Sequence, residues 1–367
     1  MKNTIMSKKI IALALFTLST TAWSFAQSYA VSVDEAKKLA EKLETSINSN
    51  NPAVFSTIIY MPELMKRISS KSEISKDPAV MAGFQQGFNL NQMGAQIINS
   101  IANGSYSLVR TYQKNNETHV LFRMFGDGGL NYHDFLLYKV KDTVKAADIY
   151  IYLTGEELSA TLAALLNDII SKSSIDPQAQ EKVNFITQLR TLQQKGAYTE
   201  IKKLVESQTG EIKKNKAIQT IYIQACQHVD TDNYISAIES FAKIYPNESN
   251  IYLLMLDAYY IKKEMEKGIN AINKLDSLTG GDPFLNYYKG VFYMLAEKVD
   301  DANVAFEKAF QYDPSNGLNM QQLVVTYAGK GNYDKANAVI EQYRKTGKFK
   351  QAYVDELYEA IPDLKKR

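Results

Sequence analysis

A marker position, usually filled by a small residue, recurs at nearly constant spacing through the second half of the chain. This recurrence constrains the fold more than any other feature of the sequence. The recurring positions are 201, 237, 268, 302 and 336, and the intervals between them are 36, 31, 34 and 34 residues. Four of these positions hold alanine or glycine, and the first holds Ile201. Two short helices and their turns occupy an interval of this size, so the sequence predicts a stack of similar helical hairpins.

The hairpin at 286–314, NYYKGVFYMLAEKVDDANVAFEKAFQYDP, has the clearest pattern. Gly290 and Ala302 have almost no side chain, so we expect them where the two helices approach most closely. Pro314 can begin a helix or turn but cannot continue an interior helix. The residues that we assign to the repeat framework are Ala237, Gly268, Gly290, Tyr293, Ala302, Phe306, Ala309, Pro314 and Ala336.

These offsets resemble the tetratricopeptide (TPR) repeat, whose period is about 34 residues. The resemblance covers 183–345 and implies four to five hairpins. The segment 349–367 is predicted to be a capping helix with a basic tail, because Tyr353, Leu357 and Ile361 have helical spacing and three basic residues end the chain. We therefore predict an all-α, TPR-like superhelix for this half.

The resemblance also implies a concave groove formed by the first helix of each hairpin. Its lining is apolar and rich in tyrosine, and it lacks the lysine and asparagine with which TPR domains grip a terminal carboxylate. An apolar or tyrosine-mediated contact with a protein or peptide is favoured. Alternatively, the chain's own first domain covers this face. The predicted groove residues are Tyr222, Leu253, Asp257, Tyr260, Tyr287, Val291, Met294 and Gln321.

The segment 31–172 has a different pattern of apolar and polar residues and is predicted to be an α+β domain. Apolar residues at helical spacing predict three helices, over 33–47, 51–69 and 77–102. Alternating apolar and polar residues then predict a four-stranded antiparallel meander, followed by a helix. The predicted strands and last helix are 105–113, 118–125, 130–140, 145–153 and 156–170, and 173–182 is predicted to be a linker.

This element order resembles the cones of nuclear-transport-factor-like and cystatin-like folds. The first type often encloses a pocket, so the resemblance implies a ligand-binding cone, or an isomerase or cyclase, as alternatives to a non-catalytic scaffold. His133 and Asp134 are the only neighbouring acid–base pair on a strand, and consecutive strand residues point to opposite faces. We therefore assign no catalytic residue, and histidine spacing indicates no metal ligand or cofactor.

The amino terminus indicates export. Lys2, Lys8 and Lys9 precede the apolar run 10–16, and small residues flank a cleavage point after Ala26. We expect a signal peptide over 1–26 and a soluble periplasmic or extracellular protein that carries no lipid anchor, since no cysteine lies directly after the apolar run. The chain has 42 basic and 40 acidic residues, and this near balance gives no electrostatic argument for nucleic acid or membrane. We therefore expect a protein or peptide partner.

Overall fold

A computed structural model shows one antiparallel sheet between two sets of helices. The structure describes residues 31–72, 78–102, 104–126, 129–170, 177–246 and 250–366. The expected signal peptide, 1–26, lies outside the described residues, as does the start of the expected linker. Within the described ranges, no helix combines the length and the apolar character needed to cross a membrane.

The helices before the sheet follow the predicted segments, but the second and third segments are each divided in two. A break occurs where the Asn89 side chain accepts hydrogen bonds from the N–H groups of Asn91 and Gln92, which caps a new helix. The other break precedes Pro62, which lies in the first turn of its helix. The helices are α1 Val33–Asn48, α2 Val54–Ile58, α3 Met61–Ser70, α4 Pro78–Gly87 and α5 Leu90–Ile101.

The sheet is a meander in which each strand pairs with its sequence neighbour in antiparallel fashion. Asn115 and Asn116 both have positive φ in the first turn, which is the geometry that tight hairpins favour. A fifth strand of two residues adds to the four predicted strands. The elements are β1 Ser105–Lys114, β2 Glu117–Gly126, β3 Gly129–Val140, β4 Thr143–Ile151, β5 Glu156–Glu157 and then α6 Leu158–Ile170.

Both faces of the sheet are buried, which the sequence did not predict. Phe122, Phe135 and Ile149 belong to an apolar cluster with the helices α1–α6. Leu121 and Tyr132 alternate with them in sequence and belong to a second cluster, with helices of the repeat half. The sheet is therefore a middle layer that joins the two halves of the protein.

The repeat half is a succession of paired helices. Helix α7 begins inside the segment predicted as a linker. In the clearest hairpin, a Cβ on Gly290 would lie 2.5 Å from Phe306 Cε1, so the glycine permits the close approach of the two helices. The helices are α7 Pro177–Lys195, α8 Tyr198–Glu206, α9 Glu211–Lys214, α10 Lys216–Val229, α11 Thr231–Ile244, α12 Ile251–Ile261, α13 Met265–Thr279, α14 Leu285–Leu295, α15 Val299–Tyr312, α16 Gly317–Gly329, α17 Tyr333–Arg344 and α18 Gln351–Ala360.

The predicted fold class is confirmed: an α+β region precedes an all-α, TPR-like superhelix. Helix α18 packs against α16 at the end of the stack, in the position predicted for a cap. The short 3₁₀ helix Pro362–Lys366 follows it.

Candidate functional site

The predicted repeat groove is partly covered by the sheet. Leu253, on α12, is 6% exposed and belongs to the cluster that contains Leu130 of the sheet. The Phe125 ring packs edge-on against Tyr287 of α14, with 6.5 Å between the ring centroids. Of the two alternatives drawn from the sequence, coverage by the chain itself therefore holds for this part of the groove.

Other groove positions contact other parts of the repeat half. The Gln321 amide donates to the Tyr353 carbonyl at 3.1 Å and to Glu356 Oε2 at 2.7 Å, so α18 covers it. Val291 and Met294 are half-buried against the cluster formed by α15–α18. These three positions are thus packed, at least in part, against the end of the stack.

Tyr222 and Asp257 form side-chain hydrogen bonds with residues of the second helices α8 and α11. The Tyr222 hydroxyl donates to Glu206 Oε1 at 2.9 Å. The Tyr234 hydroxyl donates to Asp257 Oδ2 at 2.5 Å. The Asp257 side chain is exposed, and partial desolvation by the protein atoms near it raises the pKa of its carboxyl.

Apolar side chains on three of the first helices remain exposed among the residues that the structure describes. Tyr260 is 48% exposed at the end of α12, and Ile261 beside it is also exposed. Leu295 occupies the equivalent position at the end of α14, 34 residues later, and is exposed as well. Val325, on α16, is 37% exposed. We call Tyr260, Ile261, Leu295 and Val325 the edge patch.

A second candidate site is a cavity of about 490 Å³ between the sheet and the first repeat helices. Its floor is the sheet face that carries Met124, His133 and Ile149, and one wall is α5 with α6. The other wall is formed by α7 and α10 of the repeat half, including Ile186 and Ile218. Its size lies within the range of about 300–1,000 Å³ that is usual for small-molecule sites.

His133 lies in the floor of this cavity, and both of its ring nitrogens are engaged. Asn131 Oδ1 accepts the backbone N–H groups of Tyr132 and Leu153, so its amide nitrogen faces His133 Nε2 at 3.2 Å. Because the amide donates, Nε2 must be the acceptor and Nδ1 must carry the proton. Nδ1 lies 3.1 Å from the Tyr106 hydroxyl and donates to it.

Burial lowers the pKa of His133 to about 4, so the ring is neutral near pH 7. Asp134 lies on the opposite face of the sheet, where the Tyr112 hydroxyl donates to its carboxylate. His119 Nδ1 lies 3.3 Å from Asp134 Oδ1 on that same face. The two neighbours that the sequence singled out therefore lie on different sides of the sheet and do not form an acid–base pair.

Sequence reasoning missed the polar residues of the cavity. Gln92, Arg190 and Gln224 come from three helices in both halves of the chain, and the Arg190 guanidinium donates to Gln92 Oε1 at 2.5 Å. Each is a polar residue on an amphipathic helix, and no periodic signal brings the three together. Among the residues that the structure describes, no three His, Cys, Asp or Glu side chains converge as metal ligands.

Comparisons with known proteins give little. No family model matches the chain, and no curated protein does. Among solved structures, MamA from Desulfovibrio magneticus RS-1, from residue 41 to its end, is 15% identical and has a TM-score of 0.39, with 44% of this chain and 95% of that chain covered. A crystal structure of MamA protein is 17% identical with a TM-score of 0.38, over 44% and 88%.

Proposed function

We propose that this protein is an exported, non-catalytic scaffold that binds another protein through its repeat groove. The observation that carries the proposal is the edge patch. Its apolar side chains are exposed on three successive first helices, whereas five of the other predicted groove residues pack against the sheet or the last helices. Exposed apolar side chains on successive units of a helical repeat suit protein recognition.

The chemistry of the edge patch indicates the kind of partner. Tyrosine and aliphatic side chains form it, so an amphipathic helix or an apolar peptide segment of a protein fits it better than a charged terminus does. The absence of catalysis is supported by His133, whose two nitrogens are hydrogen-bonded and whose pKa is low. A general base works best when its pKa lies near the working pH, so a ring with a pKa of about 4 is a weak base near pH 7.

Capture of partners by the full-length mature protein tests the proposal. Tyr260→Ser and Val325→Ser remove apolar surface from the edge patch, and we expect both to abolish capture of a partner that the unaltered protein retains. Val304→Ser is the matched control, because Val304 is 51% exposed on the second helix of a hairpin, outside the groove. Equal capture by all three variants would contradict the proposal.

Export is tested separately. The mature protein isolated from its source should begin at Gln27, after removal of the signal peptide proposed from the sequence. Mass spectrometry of the amino-terminal peptide measures this. An intact amino terminus on the cellular protein would overturn the export part and leave the groove part untouched.

A further inference from the structure

The cavity between the sheet and the first repeat hairpins has a lining suited to an apolar molecule. Its deeper surface is aliphatic, with Ile97 of α5, Leu162 of α6 and Leu189 of α7 all buried. The polar groups at its floor already have partners, because His133 and Asn131 bond each other and their neighbours. A ligand therefore gains mainly apolar contact at this depth.

The solvent side of the cavity is polar. Gln96, Arg190 and Gln224 line it and are exposed, and Gln193 is half-buried beside them. Arg190 donates to the neutral Gln92, and it is the one residue with a permanent charge among the described residues that line the cavity. A lining with a cation and several amides, but no carboxylate, favours a negatively charged oxygen group over an amine.

From this arrangement we propose that the cavity binds a single-chain amphiphile with a carboxylate head. The aliphatic chain lies along the sheet floor between α5, α6, α7 and α10, and the carboxylate lies at the solvent side, where Arg190 and the glutamine amides donate to it. Arg190 exchanges its hydrogen bond to the neutral Gln92 amide for one to a carboxylate, in which both partners are charged. The ligand would contact both halves of the protein.

Titration of the full mature protein with dodecanoate below its micelle concentration tests this inference, with dodecanol and dodecylamine as neutral and cationic counterparts. We expect saturable one-to-one binding of dodecanoate, weaker binding of the alcohol and weakest binding of the amine. From octanoate upwards, each added methylene should raise the affinity about fourfold until the cavity is full.

Variants separate the head contact from the chain contact. Arg190→Gln should weaken dodecanoate binding by about tenfold or more and leave dodecanol binding unchanged. Lys195→Gln is the matched control on the same helix, because Lys195 is exposed and does not line the cavity. Ile186→Trp and Met93→Trp fill the cavity from opposite walls and should abolish binding of all chains.

Two outcomes would overturn the whole inference, and a third would overturn its carboxylate part. One is no saturable binding of any chain by folded protein, checked by circular dichroism. The other is binding that neither tryptophan variant changes, which would place the chains elsewhere on the surface. Equal affinities for acid and alcohol, with no effect of Arg190→Gln, would refute the carboxylate assignment. Failure of ligand binding leaves the edge patch unaffected, since that patch lies on α12, α14 and α16.

Discussion

Arg123 on β2 and Asp282 in the turn before α14 form a buried ion pair, with 2.6 Å between Nη1 and Oδ1. The Tyr132 hydroxyl donates to the other carboxylate oxygen at 2.9 Å, and the Phe284 N–H donates to Oδ1 at 3.1 Å. The Arg123 guanidinium also lies over the Phe284 ring, 4.1 Å from its centroid. These contacts fix the sheet to the repeat helices at one point.

Asp282→Asn should strongly destabilise the protein. It removes the charge opposite Arg123 while keeping the size of the side chain, so a buried guanidinium loses its counter-charge. We expect the free energy of unfolding to fall by about 3–5 kcal/mol, measured by urea denaturation followed by circular dichroism.

Asp300→Asn is the matched control. Asp300 pairs with Lys330 on the surface, where its side chain is 94% exposed. Water screens such a pair, so we expect a change of about 0–1 kcal/mol. Similar losses in the two variants would show that burial of the Arg123–Asp282 pair has no special role in joining the halves.

His133 should make stability depend on pH between about 6.5 and 4. Its pKa is about 4 in the folded protein, below the ordinary value of 6.5, because burial disfavours the charged ring. In this window the unfolded chain binds a proton that the folded protein does not bind, so the free energy of unfolding falls as the pH falls. Over the whole window the loss is on the order of 3 kcal/mol.

Comparison with His133→Gln isolates this contribution, because the carboxyl groups titrate in both proteins. Unfolding free energies measured at several pH values from 7 to 4 should fall less steeply in the variant. Below pH 4 the two curves should run parallel, since His133 is then protonated in both states. Parallel curves from pH 7 to 4 would mean that His133 does not lose its proton on folding.

Gly290→Ala tests the close approach of α14 and α15. The added Cβ would lie 2.5 Å from Phe306 Cε1, so the ring or the helices must shift. Overpacking of this kind costs about 1–3 kcal/mol. Gly329→Ala is the control: no atom lies within 4 Å of a Cβ there, and alanine favours a helix over glycine by about 0.5–1 kcal/mol. Thermal denaturation should thus show a lower Tm for the first variant and an equal or higher Tm for the second.

The sequence predicted the parts of the fold that local spacing determines. The small residue at position 290 and the apolar residues around it repeat with a helical period, and the strands near His133 alternate with a period of two. Residues 51–69 and 77–102 were each predicted as one helix because apolar periodicity continues across the breaks. One break is marked by the Asn89 cap and the other by Pro62, and both are recognised helix-start signals.

Contacts between the halves could not be predicted in this way. Arg123 and Asp282 are 159 residues apart, and nothing in either neighbourhood marks the other as its partner. Val120, Leu121 and Phe122 are consecutive on β2 and so place apolar side chains on both faces of the sheet, but this run does not identify the repeat helices that cover the face of Leu121. The cavity likewise takes Gln92 and Arg190 from helices on either side of the junction.

The division of the predicted groove into a covered part and a free part can be tested with two substitutions on α12. Leu253→Ala removes a side chain that is 6% exposed and packed in the cluster with Leu130, so we expect a loss of about 2–5 kcal/mol in unfolding free energy. Tyr260→Ala removes a ring that is 48% exposed and contacts Phe292 at its edge, with 6.3 Å between centroids. Its expected cost is about 1 kcal/mol or less. Urea denaturation measures the loss in unfolding free energy for both variants. A loss for Tyr260→Ala larger than its expected cost would mean that the edge patch is part of the packed core and is not free for a partner.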